Sequence, residues 1–220
     1  TQNTFRYLNS SDKTIWGVPL FIKYSTDTRK KEIKFLLENR NEDIELEDHV
    51  DKIFLNSNAY GFYRTDSKDL DCLFDINELS SEEKYSIVDD YWALILNGSK
   101  NVENFLEFSE KFQNETDPDI LGLLYSCFSN LNRNLVDKSY LQLVVNKIYN
   151  ETFQRLDNKT KRSIREVQAL AVCFRAMAII IENPIIITKS KNILDQYLNN
   201  NSSYEPDIIS SVISINAYHG

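Results

Sequence analysis

The sequence contains few of the residues that most enzyme active sites require. Only two histidines, His49 and His219, occur in its 220 residues. A zinc helix of the form H-E-x-x-H needs two histidines on one helical face, and Ser-His-Asp or Cys-His sites need a histidine with placed partners. His49 lies among acidic residues, which is typical of an exposed polar loop, and His219 is the last residue but one. The sequence therefore predicts no catalytic residue and no metal site.

Glycine is also scarce, with five residues, and neither G-x-G-x-x-G nor a P-loop pattern occurs. No phosphate cradle and no bound cofactor are therefore expected. Carboxylates are plentiful, and the most suggestive pair is Asp89-Asp90 within a predicted helix. Because consecutive helical side chains point about 100° apart, we interpret this pair as one outward charge and one helix-packing or capping contact, rather than as a catalytic acid and base.

Long apolar runs and an excess of positive charge are absent as well. No run approaches the roughly 18 apolar residues needed to cross a bilayer, and the first ten residues lack the features of a signal peptide. The net charge of -8 argues against nucleic acid as a partner, because such binding relies on Lys and Arg. The one basic cluster is interpreted as a solvated helix start; it comprises Lys159, Lys161, Arg162 and Arg165. The sequence predicts neither a membrane nor a nucleic-acid partner.

Three cysteines, Cys72, Cys127 and Cys173, lie far apart in apolar surroundings. An odd number leaves at least one of them unpaired. Such residues are typical of small buried side chains in a reducing compartment. We therefore predict a cytoplasmic location.

The first third of the chain has the pattern of β-structure. In "TIWGVPLFIKYSTDTRKKEIKFLLEN", two largely apolar runs flank the polar cluster "STDT", which is typical of a hairpin turn. Further short strands are predicted at Asp51 to Leu55 and at Gly61 to Thr65. The pattern predicts a small antiparallel β-sandwich domain over residues 1–66.

After residue 66 the period becomes helical. "LSSEEKYSIVDDYWALILNG" begins with a predicted capping box, Ser80 and Glu83, and closes on Gly98. Six further helices are predicted, at Val102 to Phe112, Pro118 to Leu131, Ser139 to Phe153, Lys161 to Ile181, Thr188 to Leu198 and Pro206 to Ala217. Their short joints favour antiparallel neighbours. The fold class is therefore α+β, with the sandwich followed by an all-α superhelical domain of stacked αα-hairpins over residues 67–220.

The last predicted helix, Pro206 to Ala217, distributes its apolar groups over a broad arc. A terminal repeat of a helical stack normally has a polar outer face. We therefore expect the helical domain to be truncated at its C-terminal end. The uncovered surface would then bind another copy of the chain or fray, and we expect self-association through the Pro206 to Gly220 end.

Three segments in order resemble the gluzincin zinc aminopeptidases, the family of aminopeptidase N and the archaeal tricorn-interacting aminopeptidases. The segments are "TIWGVPLFI", "FLNSNAYGFYRTDSKDLDCLF" and "LSSEEKYSIVDDYWALILNG". The family's motif positions are occupied by Trp16, Pro19, Leu20, Asn56, Asn58, Gly61, Tyr63, Arg64, Leu79, Ser80, Asp89, Asp90 and Gly98. The specific part of the resemblance covers about residues 6–134.

This resemblance implies the post-catalytic region of such an enzyme. The family's H-E-x-x-H zinc helix and G-x-M-E-N strand do not occur in this sequence, so no catalytic residue is carried over and this chain alone is expected to be inactive. In the parent protein, zinc would be the cofactor and short peptides the substrates. The N-terminal catalytic domain of the same polypeptide would be the partner.

The resemblance also assigns a structural role to the junction between the two predicted domains. The junction residues are Asn56, Asn58, Gly61, Tyr63, Arg64, Asp89 and Asp90. Arg64 could bind a substrate carboxylate or a nearby acid as a bidentate donor, and we favour the nearby acid. A second hypothesis is a stand-alone helical-solenoid module that binds other proteins without peptidase activity.

Overall fold

The computed structural model describes residues 1–3, 14–27, 29–46, 49–67, 74–199 and 203–220. These residues form an α+β fold, as predicted, with a small antiparallel sheet followed by helices. The chain divides into two compact units, Thr1–Val102 and Glu103–Gly220. The predicted domain boundary after residue 66 follows the change in secondary structure and stays a prediction. Cys72 lies outside the described residues.

The sheet contains three strands, β1 (Val18–Thr26), β2 (Arg29–Leu37) and β3 (Lys52–Phe54), in the order β2-β1-β3. Both pairings are antiparallel, and β1 and β2 form the hairpin that the "STDT" cluster predicts. Alternation places Ile22 and Tyr24 on one face of β1, where each is 2% exposed. The described residues contain this one sheet, so the predicted second layer of a sandwich stays a prediction.

The strand predicted at Gly61 to Thr65 is wrong, because this segment is irregular. The Asn56 side chain binds Gly61 twice: its Oδ1 accepts from the Gly61 N–H at 2.7 Å, and its Nδ2 donates to the Gly61 carbonyl at 3.0 Å. Asn58 and Ala59 within this loop have positive φ angles of 56° and 54°. A closed loop of this kind leaves no extended backbone for a further strand.

Helix α1 (Ser81–Leu96) begins and ends as its sequence predicts. Ser80 Oγ accepts from the Glu83 N–H, and the Glu83 side chain accepts from the Ser80 N–H, which completes the capping box. Gly98 follows the helix with a φ of 78°, a conformation that glycine adopts without strain.

Six helices follow: α2 (Val102–Ser109), α3 (Pro118–Asn134), α4 (Ser139–Asp157), α5 (Ile164–Arg175), α6 (Pro184–Leu198) and α7 (Pro206–His219). Two of these helices begin at residues other than those predicted, and in both the N-cap residue explains the difference. Helix α5 begins three residues later than predicted because Ser163 caps it, and α6 begins four residues earlier because the Asn183 side chain accepts from the N–H groups of its first turn. A π-helical turn, Ala176–Ile180, continues α5.

The core of the second unit is apolar and rich in aromatic rings. Helix α5 lies at its centre and contacts α3, α4 and α7. Phe128 packs against Tyr149 with ring centroids 6.4 Å apart, and Phe153 packs against Phe174 at 5.5 Å. The hydroxyl of buried Tyr149 donates to the Leu121 carbonyl at 2.8 Å. Continuous burial of this kind explains why the helical period is clear in the sequence.

The expectation that α7 leaves a broad apolar surface uncovered is wrong. Its aliphatic residues Ile208, Ile209, Val212 and Ile215 are buried, and the helix contacts α5 and α6. The exposed positions include Asp207, Ser210 and Ser214, and the Ile213 side chain is 51% exposed. The burial of these side chains removes the reason given for self-association, which stays a prediction. Separately, none of the helices in the described ranges is both long and apolar enough to span a membrane.

Candidate functional site at the junction of the sheet and helix α1

Glu83 is the centre of the junction between β1 and α1, and it is 1% exposed. Its two carboxylate oxygens lie 2.8 and 2.7 Å from the Lys23 Nζ on β1. The backbone N–H groups of Asn58 and Ser80 also donate to this carboxylate, at 3.0 and 2.9 Å. One carboxylate therefore joins a strand, a loop and the start of a helix.

The electrostatics at Glu83 favour the ionised form. Burial alone would raise the pKa of Glu83, but the Lys23 ammonium and the N–H groups of Asn58 and Ser80 outweigh burial and hold the pKa below its usual range. Lys23 is also close to two aromatic rings, with its Nζ 5.0 Å from the Phe74 centroid and 5.7 Å from that of Phe54. The Glu83 carboxylate and the two aromatic rings thus take the place of part of the hydration shell of the Lys23 ammonium group.

Tyr63 joins the loop after Asn56 to the sheet. Its hydroxyl donates to the Leu55 carbonyl at 2.7 Å and accepts from the Phe21 N–H at 3.1 Å. Burial raises the pKa of Tyr63. Gly61 is needed here because a Cβ at this position would lie 1.9 Å from the Tyr63 ring. Glycine at position 61 therefore leaves the space that the Tyr63 ring occupies.

Arg64 contacts both acids of the Asp89-Asp90 pair. One of its terminal nitrogens lies 2.5 Å from Asp89 Oδ2 and 3.1 Å from the Asp89 carbonyl oxygen, and it lies 3.7 Å from Asp90 Oδ1. The Asp89 side chain is 42% exposed and that of Asp90 is 7% exposed. The two acids therefore divide into an outward charge and an inward contact, as the helical geometry predicts, and Arg64 pairs with local acids.

Asp90 is the inward member of the pair. Its Oδ2 accepts from the Thr65 N–H at 2.9 Å and from the Thr65 Oγ1 at 2.7 Å. Burial raises the pKa of Asp90 to about 6, against the opposing effects of the Thr65 donors and of Arg64. This carboxyl group therefore attaches the segment after Tyr63 to the middle of α1.

The structure brings all seven predicted junction residues into the unit Thr1–Val102. Three further participants were missed: Lys23, Glu83 and Thr65. Glu83 was predicted only as part of the capping box, and a lysine within an apolar strand was the available signal for Lys23. Nothing in the sequence marks Thr65, because its role depends on the position of Asp90 in space.

The two histidines and the acids of the junction are accounted for by exposure or by contacts within the protein. In the part of the chain that the structure describes, no group of three or more His, Cys, Asp or Glu side chains could hold a metal ion. His49 has an 88% exposed side chain, and His219 Nε2 contacts the Ala178 carbonyl at 2.9 Å. The acids of the junction bind lysine, arginine and backbone donors of the same unit, so the junction positions α1 on the sheet.

The sequence of this chain is similar to one protein family and to several aminopeptidases. A family model described as "ERAP1-like C-terminal domain" matches residues 53–220. The chain is 31% identical over 113 residues to "Probable aminopeptidase 1" of Sulfurisphaera tokodaii, an alignment that covers 51% of this chain and 14% of the relative. It is 24% identical over 165 residues to "Tricorn protease-interacting factor F2" of Thermoplasma volcanium, which covers 73% of this chain and 20% of the relative.

A third relative, "Leucyl aminopeptidase" of Saccharolobus solfataricus, is 27% identical over 117 residues, covering 53% of this chain and 14% of that protein. The chain thus spans between 14% and 20% of the length of these relatives. The resemblance to an aminopeptidase N-like C-terminal region is confirmed.

Proposed function

Because the chain belongs to the ERAP1-like C-terminal domain family, we propose that it is the non-catalytic C-terminal part of a zinc-dependent aminopeptidase. The parent protein removes N-terminal residues from short peptides. The observation that carries this proposal is the family match over residues 53–220, which includes the junction built around Glu83 and Asp90.

Among the residues that the structure describes, no group of three or more potential ligands fits a zinc ion, so no step of catalysis is assigned to them. Zinc in the parent protein would activate a water molecule as the nucleophile, and its ligands would belong to a catalytic domain elsewhere in the same polypeptide. The contribution of this chain is mechanical. The junction holds α1 against the sheet, and the helices that follow build a wall that limits the length of peptide admitted.

A cytoplasmic location and a peptide-trimming role complete the proposal. Cys127 and Cys173 are both buried, as small apolar side chains are in proteins of a reducing compartment. One relative is named as a factor that interacts with a tricorn protease, and trimming of short peptides released by a larger protease fits such a role.

The test compares this chain with the complete polypeptide that its gene encodes. Both are incubated with aminoacyl-amide and short-peptide substrates, and their zinc content is measured. We expect the complete polypeptide to hydrolyse these substrates with about one zinc per chain, and this chain to show neither property. A complete polypeptide without zinc-dependent hydrolysis would reject the proposal in favour of a stand-alone interaction module.

A further inference from the structure

Five polar side chains on three helices of the second unit form a group, here called the arginine-tyrosine cluster: Tyr125, Ser129 and Arg133 on α3, Arg175 on α5, and Tyr218 on α7. Three of them lie along one side of α3. At about 100° per residue, Ser129 lies about 40° and Arg133 about 80° from Tyr125 around the helix axis. Helix α3 therefore carries a row of hydroxyl groups that ends in a cation.

Arg175 joins this row from the neighbouring helix. Its guanidinium carbon lies 5.3 Å from the centroid of the Tyr125 ring, which is a cation–π contact. Near the start of α5, Arg165 binds Asp117 and Asp119 at the start of α3. The two helices therefore run parallel, and Arg175 lies where α3 offers a tyrosine ring instead of acids.

The end of α7 completes the cluster. His219 Nε2 contacts the Ala178 carbonyl at 2.9 Å, which holds this end of α7 on the π-helical turn that follows Arg175. Tyr218, the preceding residue, is 49% exposed and is one of the groups that act electrostatically on the Tyr125 hydroxyl. The cluster therefore lies beside a helical irregularity of a kind that is frequent at functional sites.

Two buried polar atoms on these helices have no hydrogen-bond partner among the described residues, Arg175 Nε on α5 and Asn132 Oδ1 on α3. Asn132 is 3% exposed, and it lies about 20° from Tyr125 around the axis of α3. Buried polar atoms are nearly always paired in folded proteins. Two orphan atoms on neighbouring parallel helices therefore indicate a site for a polar ligand.

The charges of the cluster indicate which ligand it binds. None of the ion pairs among the described residues includes Arg133 or Arg175, in a protein whose net charge is -8. Burial raises the pKa of the Tyr125 hydroxyl, and the charges of both arginines oppose this rise, so they act on the same group. A guanidinium can donate two parallel hydrogen bonds to a phosphate or a carboxylate. Two unpaired cations match a doubly charged phosphate group better than a singly charged carboxylate.

We propose that the arginine-tyrosine cluster binds a phosphate group, either free or carried on a small molecule. Arg175 and Arg133 bind the phosphate oxygens, and the hydroxyl groups of Tyr125 and Ser129 donate to them. The sequence lacks the glycine-rich loop that binds phosphate through backbone N–H groups, and here side chains supply the donors. This site goes beyond the proposed function and does not depend on it, since it involves neither zinc nor a peptide bond.

The test measures the binding of radiolabelled inorganic phosphate by equilibrium dialysis at constant ionic strength, on this chain and on the complete polypeptide that its gene encodes. We expect saturable binding, and Arg175→Gln and Arg133→Gln should each weaken it about tenfold or more. The matched control is Arg165→Gln, since Arg165 lies on the same helix as Arg175 and already binds two acids. This control removes the same charge and should leave phosphate binding unchanged.

Two further variants separate binding from folding. Arg175→Lys keeps the positive charge but loses Nε and the planar fork, so it should also weaken phosphate binding. Arg133 is exposed, so Arg133→Gln should leave the thermal midpoint of unfolding unchanged and still weaken binding. This second variant tests the site even where the partly buried Arg175 is needed for folding.

Competition experiments identify the source of the phosphate group. Glycerol 3-phosphate that displaces phosphate more strongly than unlabelled phosphate does would support a phosphorylated small molecule, and equal displacement would support free phosphate. Acetate that displaces phosphate equally well would overturn the assignment to a phosphate group. Absence of saturable binding, or an equal loss in Arg165→Gln and Arg133→Gln, would overturn the site itself, because the effect would then follow net charge alone.

Discussion

In the unit Glu103–Gly220 the helices pack through buried aromatic rings, whereas in the unit Thr1–Val102 helix α1 is joined to the sheet by buried charges and hydrogen bonds. Phe128 and Tyr149 in the helical unit are fully buried. Glu83 and Asp90 in the sheet unit are buried nearly as completely, but each is surrounded by donors. Apolar packing is non-directional, whereas a buried charge depends on particular partners.

This difference has consequences for substitution. Removing an apolar side chain costs free energy in proportion to what is buried and to the cavity that remains. Removing one partner of a buried ion pair costs free energy because the other charge is left behind, so a second substitution can recover part of the loss. Substitutions in the helical core should therefore cause large losses of stability that depend on the cavity left behind. Substitutions in the junction should cause losses that a second substitution at the partner residue partly recovers.

The largest effect is expected in the helical core. Phe128 is 0% exposed and lies between the rings of Phe105 and Tyr149, at 6.1 and 6.4 Å. Phe128→Ala should lower the free energy of unfolding by about 3 to 5 kcal/mol, measured by urea denaturation followed by circular dichroism. Val136→Ala at an exposed position should change it by less than about 0.5 kcal/mol. A loss below about 1 kcal/mol for Phe128→Ala would show that this core tolerates a cavity.

A somewhat smaller effect is expected at the centre of the junction. Glu83→Gln retains a capping-box side chain but leaves the Lys23 ammonium, whose side chain is 13% exposed, without its carboxylate. We expect a loss of about 3 kcal/mol in the free energy of unfolding, at the lower end for removing one partner of a buried pair.

The double variant Lys23→Met with Glu83→Gln should recover part of this loss, because neither charge remains. Lys30→Met is the matched control for losing a lysine from an ion pair, since the Lys30 side chain is 55% exposed in its pair with Glu78. It should change the free energy of unfolding little. If the loss in the double variant equals the sum of the losses in Lys23→Met and Glu83→Gln, Lys23 and Glu83 are not coupled. The stability of the junction then does not depend on their pairing.

The two regions also differ in how far the sequence predicts them. Helix starts in the second unit follow from caps and proline positions, and the errors at α5 and α6 arose because Ser163 and Asn183 were not recognised as caps. The burial of Ile208 and Ile215 on α7 was missed because it depends on contacts with α5 and α6, which no local pattern records. In the junction, Asp89 and Asp90 could be separated by helical geometry, but the partner Thr65 could not be found, since it lies 25 residues away in sequence.

The next prediction concerns the pH dependence of the junction. The pKa of Asp90 is about 6 in the folded protein, above about 3.9 for an unfolded aspartate. Between these values the folded state binds more protons than the unfolded state, so this group's contribution to stability falls as pH rises from about 4 to 6. The loss is of the order of 2 kcal/mol. Asp90→Asn, which retains an acceptor for Thr65, should remove this dependence.

The measurement compares wild type with Asp90→Asn at pH 4.5 and pH 7.5, so that other titrating groups cancel. Relative to wild type, the variant should be more stable at pH 7.5 than at pH 4.5. Glu83 has the opposite sign, since its pKa is lowered and its contribution is lost as pH falls. A difference between the two proteins that does not change with pH would show that Asp90 titrates normally despite its burial.

The smallest effect is expected at the exposed end of the junction, where Arg64 meets Asp89. Their side chains are 33% and 42% exposed, so solvent and salt screen the pair. Arg64→Gln should lower the free energy of unfolding by about 0.5 kcal/mol through this contact, and 1 M salt should abolish much of that loss. The effect of Glu83→Gln should persist in salt, because its pair is buried.

Arg64 also lies 3.7 Å from Asp90 Oδ1, which gives the same variant a second readout. The Arg64 cation favours the ionised form of Asp90, so Arg64→Gln should raise the pKa of Asp90 further, as followed by carboxyl NMR signals. Asp89→Asn provides the matched control, because loss of a neighbouring negative charge should lower the pKa of Asp90 instead. Opposite shifts in the two variants would show that the buried carboxyl senses the exposed ion pair. Identical shifts, or none, would show that the Asp90 carboxyl does not respond to the charges of Arg64 and Asp89.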